Sequence, residues 1–293
     1  YKRSFWLLIF GLFNGYVLLW TGDILVTYAI CGLLLFLFRN VGGKQLLITS
    51  VILIVLLTLY NSALHFGLLY TQSLGEEAAE LYAQGKPVSD ELAAMHLGWQ
   101  EFVVDFYPSS TQIAQELAAR GGSYLSAFEW TLVHNTDILL GYLWYMMVPD
   151  ALVLMMLGMA LFKLGVLQGK LDLSVYRNMA IVGLFSGLMI NAYELSAAHA
   201  SQFDLVASFN SLMPTYHLGR VALAIGWIGI IVLLHRSLNF GWRLAAVGRM
   251  ALTNYLLHSV ICLFIFTGAG FGLIGQMSRW QVFGVVFGIW IPQ

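Results

Sequence analysis

From Gln45 to Phe66 the chain carries no Asp, Glu, Lys or Arg, and runs of the same kind recur along its length. A helix of a soluble protein buries one stripe and shows polar residues on the other side; these blocks are apolar all round. Their solvent is lipid, where about 20 predominantly apolar residues cross the hydrocarbon core. The candidate spans are 5–20, 24–38, 45–66, 149–166, 178–194, 219–234, 250–267 and 281–293. Only 10% of the 293 residues are charged, against roughly 25% in a soluble domain. The expected fold is all-α, a polytopic transmembrane helix bundle of about eight spans in this fragment. Its expected parts are helices 1–3 in residues 1–70, a helical insertion in 71–148 and helices 4–8 in 149–293.

Charge orients the bundle. With Tyr1 on the cytoplasmic side, inner loops hold Lys2, Arg3, Arg39, Lys44, Lys163, Lys170, Arg177, Arg236, Arg243 and Arg249. The other four of the 14 basic residues, Lys86, Arg120, Arg220 and Arg279, fall outside. This is the asymmetry of the positive-inside rule. The net charge of −1 offers nothing to nucleic acid, and Cys31 and Cys262 read as small core residues within apolar blocks. No Met begins the chain and it stops inside the apolar run VVFGIWIPQ, so a fragment of a longer protein is expected.

Segment 71–137 is acidic and is expected outside the membrane. In it Leu92, Met95, Trp99, Phe102, Val103 and Phe106 recur at helical spacing, predicting an amphipathic helix closed by Pro108. Ser109 or Ser110 then caps a further helix. The runs 124–148 and 203–218 are expected as interfacial or re-entrant helices, because broken backbone at membrane depth needs protein or water around it.

Polar side chains within spans are costly and mark candidate sites. Asp23 follows Thr21 and Gly22 and is expected to cap the second helix, with Asn14 facing the same pocket. In GRMALTNYLLHSVI (248–261), Arg249 and Thr253, Asn254 and His258, and Tyr255 and Ser259 are four apart, so each pair shares a helix face. Helix-to-helix hydrogen bonding is one reading of this cluster. In the other, His258 is a general base, a role its ordinary pKa suits. Pro149 is expected to start a helix with Asp150 in its first turn and Lys163 near its end. No metal is expected: His65, Glu194, His199 and His217 lie in separate segments without ligand spacing. Phosphate-loop, zinc-protease, nucleophile-elbow and Rossmann motifs are not found.

The stretches GLFNGYVLLWTGDILVTYAICG, PDALVLMMLGMALFKLG and GRMALTNYLLHSVICLFIFTGAGFGLIG, in that order, resemble the YeiB-like membrane proteins, domain-of-unknown-function family 418. The resemblance implies further N-terminal spans with an Asp-x-Leu-Arg-Gly-type motif and a polar C-terminal segment. It also implies a His in many relatives where Asn14 stands here, and a bacterial inner membrane. That family is similar in fold to integral-membrane acyltransferases such as heparan-alpha-glucosaminide N-acetyltransferase. By that likeness acyl-CoA is the co-substrate and a glycan or lipid the acceptor, and no bound cofactor is expected. Asn14, Asp23, Asp150, Thr253, Asn254, Tyr255 and His258 become candidate site residues, with Arg236, Arg243 and Arg249 meeting donor phosphates. A small-metabolite transporter and an assembly protein docking through the acidic segment are the alternatives.

Overall fold

The structure, a computed structural model, describes residues 1–237 and 241–291. Helices α1 (Lys2–Tyr16), α2 (Leu25–Leu35), α3 (Gly43–Ala83), α4 (Asp90–Phe106), α5 (Ser110–Gly121) and α6 (Tyr124–Asp137) form the first half. A π-helical stretch (Ile138–Met147) leads into α7 (Val148–Lys163), followed by α8 (Leu173–Ala200) and α9 (Leu205–Ser237). Helices α10 (Gly241–Arg249), α11 (Ala251–Phe266) and α12 (Arg279–Trp290) complete the order, and the described residues contain no strand.

Four helices are long and apolar enough to cross a membrane: Gly43–Ala83, Tyr124–Lys163, Leu173–Ala200 and Leu205–Arg236. Leu25–Phe38 and Ala251–Phe266 are apolar but shorter. In the most apolar window of each long helix only 22–28% of the residues are buried, and side chains such as Ile52, Leu59, Phe185 and Trp227 stand exposed. A soluble protein would aggregate through such a surface; a bilayer covers it. Each expected span contains a helix among the described residues, but α1, α2 and α12 are only 15, 11 and 12 residues long, while several other helices outrun their expected spans. At 1.5 Å per residue α3 is about 60 Å long, twice the hydrocarbon thickness, so its end with Glu76, Glu77 and Glu80 extends beyond an apolar crossing.

Two expectations are corrected here. Residues 124–148 are not a separate interfacial helix: they run without a break into α7 as one apolar helix, Tyr124–Lys163. Pro149 therefore lies inside a helix instead of starting one. The wider π winding just before it accommodates the proline, which lacks the N–H that normal winding would use. Residues 205–218 likewise belong to α9 and are not re-entrant. Pro214 leaves the Asn210 carbonyl without its helical donor, a defect that helices at membrane depth tolerate. Pro292 and Gln293, at the end of the last expected span, lie outside the described residues.

The chain forms two compact units: 1–42 with 110–158 and 239–293, and 43–109 with 159–238. In the first, Val26, Cys31, Leu143 and Val148 make one core, and Leu18, Leu19, Ala127 and Leu263 another. In the second, α8 and α9 touch backbone to backbone. A Cβ on Gly183 would lie 2.6 Å from the Gly226 nitrogen, so only glycine permits the approach, a common device in lipid. Their connection is a tight turn with Gln202 and Phe203 at φ 54° and 61°. Asp204 ends it, accepting from the Ala207 N–H (2.8 Å) and from the Tyr107 hydroxyl (2.9 Å) beyond α4. These donors hold the Asp204 carboxyl below its usual range, the Ala207 N–H first. Partial burial, then Asp204, pushes the Tyr107 phenol up.

Candidate functional site

The first unit gathers polar side chains around Asp23. The α1–α2 connection delivers Asp23 to the start of α2, where Oδ2 accepts from the Leu25 (2.8 Å) and Val26 (3.0 Å) N–H groups. These are donors with no partner inside the helix, so the expected cap is present. Oδ1 accepts from Asn14 Nδ2 (2.8 Å) and from the Tyr255 hydroxyl (3.0 Å). One carboxylate thus ties α1, α2 and α11 together through four donors. Gly11 makes room: a Cβ there would sit 2.7 Å from Asp23 Oδ2 and from the Val26 nitrogen.

Asn14 is fully buried, and its Oδ1 has no partner among the described residues. Asn135, which the sequence reading passed over, meets the site from α6, donating to the Gly15 carbonyl at 2.7 Å. Its Oδ1 is also buried and unpartnered. Asn135, Asp23, Gly11, Gly15, Val26 and Leu139 are among the residues lining a cavity of about 40 Å³. That is room for a water or the tip of a larger molecule. The usable signal for Asn135 was a lone amide in the apolar run TLVHNTDILLGYLW.

His258 lies one turn beyond Tyr255 on α11, half-buried. Its Nδ1 is 2.8 Å from the Asn254 carbonyl. A carbonyl only accepts, so Nδ1 carries the proton and Nε2 keeps its lone pair in the neutral ring. Ser259, buried, bonds to the Tyr255 carbonyl at 3.4 Å. Asn14, Asp23 and Tyr255 are therefore brought together, and the other candidates are not bonded to them. Asn254 is half-buried and Thr253 exposed on α11; Arg249 is exposed at the end of α10; Asp150 is half-buried in the first turn of α7. Arg236, in the second unit, donates to the Gly169 and Leu171 carbonyls. The Arg243 side chain lies outside the described residues.

The second unit holds another polar group, paired across α3 and α9. Asn61 bonds to His217 Nε2 (3.3 Å), and His65 Nε2 to Asn210 Oδ1 (2.7 Å). Arg220 Nη2 stands 2.8 Å from His217 Nδ1. A guanidinium only donates, so that ring protonates at Nε2 and Asn61 must present its oxygen. Glu194 accepts from Thr215. Among the described residues no three His, Cys, Asp or Glu side chains form a metal-sized cluster.

These features define a helical membrane protein. Residues 161–293 match the family described as "Protein of unknown function (DUF418)". It is homologous to two curated bacterial proteins along most of its length. It is 28% identical over 280 residues to "Uncharacterized protein YxaH" of Bacillus subtilis, covering 94% of this chain and 61% of that protein. It is 26% identical over 294 residues to "Uncharacterized protein YeiB" of Escherichia coli, covering 97% and 66%. The chain thus spans less than two thirds of either relative. No solved structure matches it.

Proposed function

We propose that the chain is the membrane core of an acyltransferase. It passes an acyl group from a cytoplasmic acyl-CoA to a glycan or lipid acceptor of the cell envelope. The protein crosses a bacterial inner membrane eight times, with residue 1 on the cytoplasmic side and 71–137 outside. The long apolar helices, the shorter apolar ones and the bias of Lys and Arg support that layout. The observation that carries the chemistry is the 2.8 Å contact between His258 Nδ1 and the Asn254 carbonyl. The Nδ1 proton is held by that carbonyl, so Nε2 is available to take the acceptor's proton, one turn from the Tyr255–Asp23 pair. Asp23 orients Tyr255 and Asn14, while Arg249, exposed at the end of α10, meets donor phosphates at the cytoplasmic face. Thr253, Asn254 and Asp150 complete the substrate lining in this reading.

The experiment is calorimetric titration of acetyl-CoA and longer acyl-CoAs into the full protein to which this chain belongs, followed by transfer assays. Micromolar binding that weakens in Arg249→Ala is expected, with a loss in transfer of about 10²–10⁴-fold in His258→Gln. No binding of any acyl-CoA to a folded protein rejects the proposal. A transporter is then the stronger reading, because the buried His65–Asn210 and Asn61–His217 pairs are the kind of polar groups that line solute paths.

A further inference from the structure

A second, larger pocket lies within the first unit, about 330 Å³ in volume, and it has no part in the acyl-transfer reading. The α1–α2 connection (Leu18 to Thr21), the end of α11 (Cys262, Leu263, Phe266), Thr267, Ile274 and Arg120 line it. This wall is built rather than incidental. Leu18 and Leu19 are buried against Ala127 and Leu263, and Leu19 is held there at φ 56°, a conformation that costs a non-glycine residue roughly 1–2 kcal/mol. The Gly268 N–H bonds to the Arg120 carbonyl at 3.0 Å, fixing the end of α5 to the turn after α11.

Three features decide what the pocket takes. Its walls are mostly apolar, and water does not fill such space favourably. Arg120 is the one charged residue among the lining, with its side chain 23% exposed. One of its five N–H donors is used, in the i,i+4 pair with Glu116 at 2.8 Å, and its guanidinium lies 4.9 Å over Trp130. Its position is that of a membrane interface. Arg120 shares the lining with Leu18 and Phe266, which stand at or just past the ends of apolar helices. A ligand here has an apolar chain beside the last turns of α11 and an anionic group at the helix ends.

We infer that this pocket is a binding site for one acyl chain of an anionic phospholipid, whose phosphate pairs with Arg120. A planar guanidinium with open donors binds phosphate in fork geometry. The exposed Glu116 partner contributes little enough to be shared or displaced. A volume near the lower limit of ligand pockets fits a single chain, the rest of the lipid remaining in the bilayer.

Cys262 reports occupancy, since it lines the pocket half-exposed, while Cys31 is buried and serves as an internal control. The purified chain in neutral detergent is treated with N-ethylmaleimide, with and without added phosphatidylglycerol, phosphatidylcholine or oleate. Phosphatidylglycerol is expected to slow Cys262 alkylation roughly tenfold more than phosphatidylcholine, the value of one charge-assisted hydrogen bond. That preference vanishes in Arg120→Gln and is partly kept in Arg120→Lys. Equal protection by phosphatidylcholine overturns the inference, as does protection by oleate as strong as by phosphatidylglycerol, or an unchanged preference in Arg120→Gln. The lipid comparison on the unsubstituted chain stands even if that variant folds poorly.

Discussion

The two units handle buried polarity in opposite ways. In the first, Asn14, Tyr255 and two backbone N–H groups converge on one acceptor, the Asp23 carboxylate, beside a small cavity and two orphan amide oxygens. In the second, which also leaves the His65 Nδ1 and Arg220 Nε atoms unmatched among the described residues, side chains pair across two long helices, Asn61 with His217 and His65 with Asn210. A convergent site concentrates its energy in one residue and leaves partners unsatisfied when that residue goes. A ladder of pairs spreads the same role over rungs, each replaceable by an apolar contact. That is why the first arrangement reads as a site and the second largely as helix-to-helix attachment.

The largest effect expected from this contrast is in Asp23→Ala. Four donors lose their acceptor at once, and buried unmet donors are costly, so the first unit should lose about 3–5 kcal/mol. Asp23→Asn keeps acceptor oxygen at the helix start and should recover roughly half. Thermal unfolding in detergent, followed by near-ultraviolet circular dichroism, measures both. A loss below about 1 kcal/mol for Asp23→Ala would show that the convergence is geometric only.

Asn61→Leu is the counterpart. It removes one rung and substitutes an apolar side chain in a setting where interhelical hydrogen bonds average about 0.6 kcal/mol, and the expected loss is no more than about 1–2 kcal/mol. Should Asn61→Leu cost as much as Asp23→Ala, the ladder is coupled through Arg220 and His217, and the contrast between the units fails.

The same contrast explains what the sequence made legible. The all-α class, the apolar helices and the amphipathic Asp90–Phe106 helix follow from run length and periodicity, which depend on neighbours along the chain. The cap by Asp23 was readable because capping is local, and Asn14 was placed in its pocket by helix pitch. Tyr255 could be grouped with Asn254 and His258 by spacing, but its bond to Asp23 spans more than 200 residues and has no local signal. Asn135 was hidden for a different reason. Its run reads as interfacial or re-entrant, since the alternation of loop charges leaves no place for an extra crossing, and only the π winding before Pro149 joins it to α7 as one continuous helix. The lengths of α3 and α9 were underread because a span is recognised by its apolar part, while a helix continues wherever its residues permit.

The smallest expected effect lies at the surface, where Tyr107 meets Asp204 at the α8–α9 turn. The Asp204 carboxyl is held below its ordinary pKa in the folded protein, so its contribution is present above the unfolded value near 3.9 and is lost as pH falls through the folded one. The Tyr107 phenol is held above its ordinary value, so its share is complete below about pH 10 and is lost as pH rises through the raised value. The contact therefore stands between roughly pH 4 and pH 10. Asp204→Asn keeps an acceptor but no charge, and should cost about 0.5–1 kcal/mol at pH 7 while removing the acid limb. Amide hydrogen exchange at Ala207 across pH 3 to 7, corrected for the intrinsic rate, reads the effect directly. In the unsubstituted chain protection should fall toward pH 3, and in Asp204→Asn it should be flat; an identical fall in both would place the titrating group elsewhere.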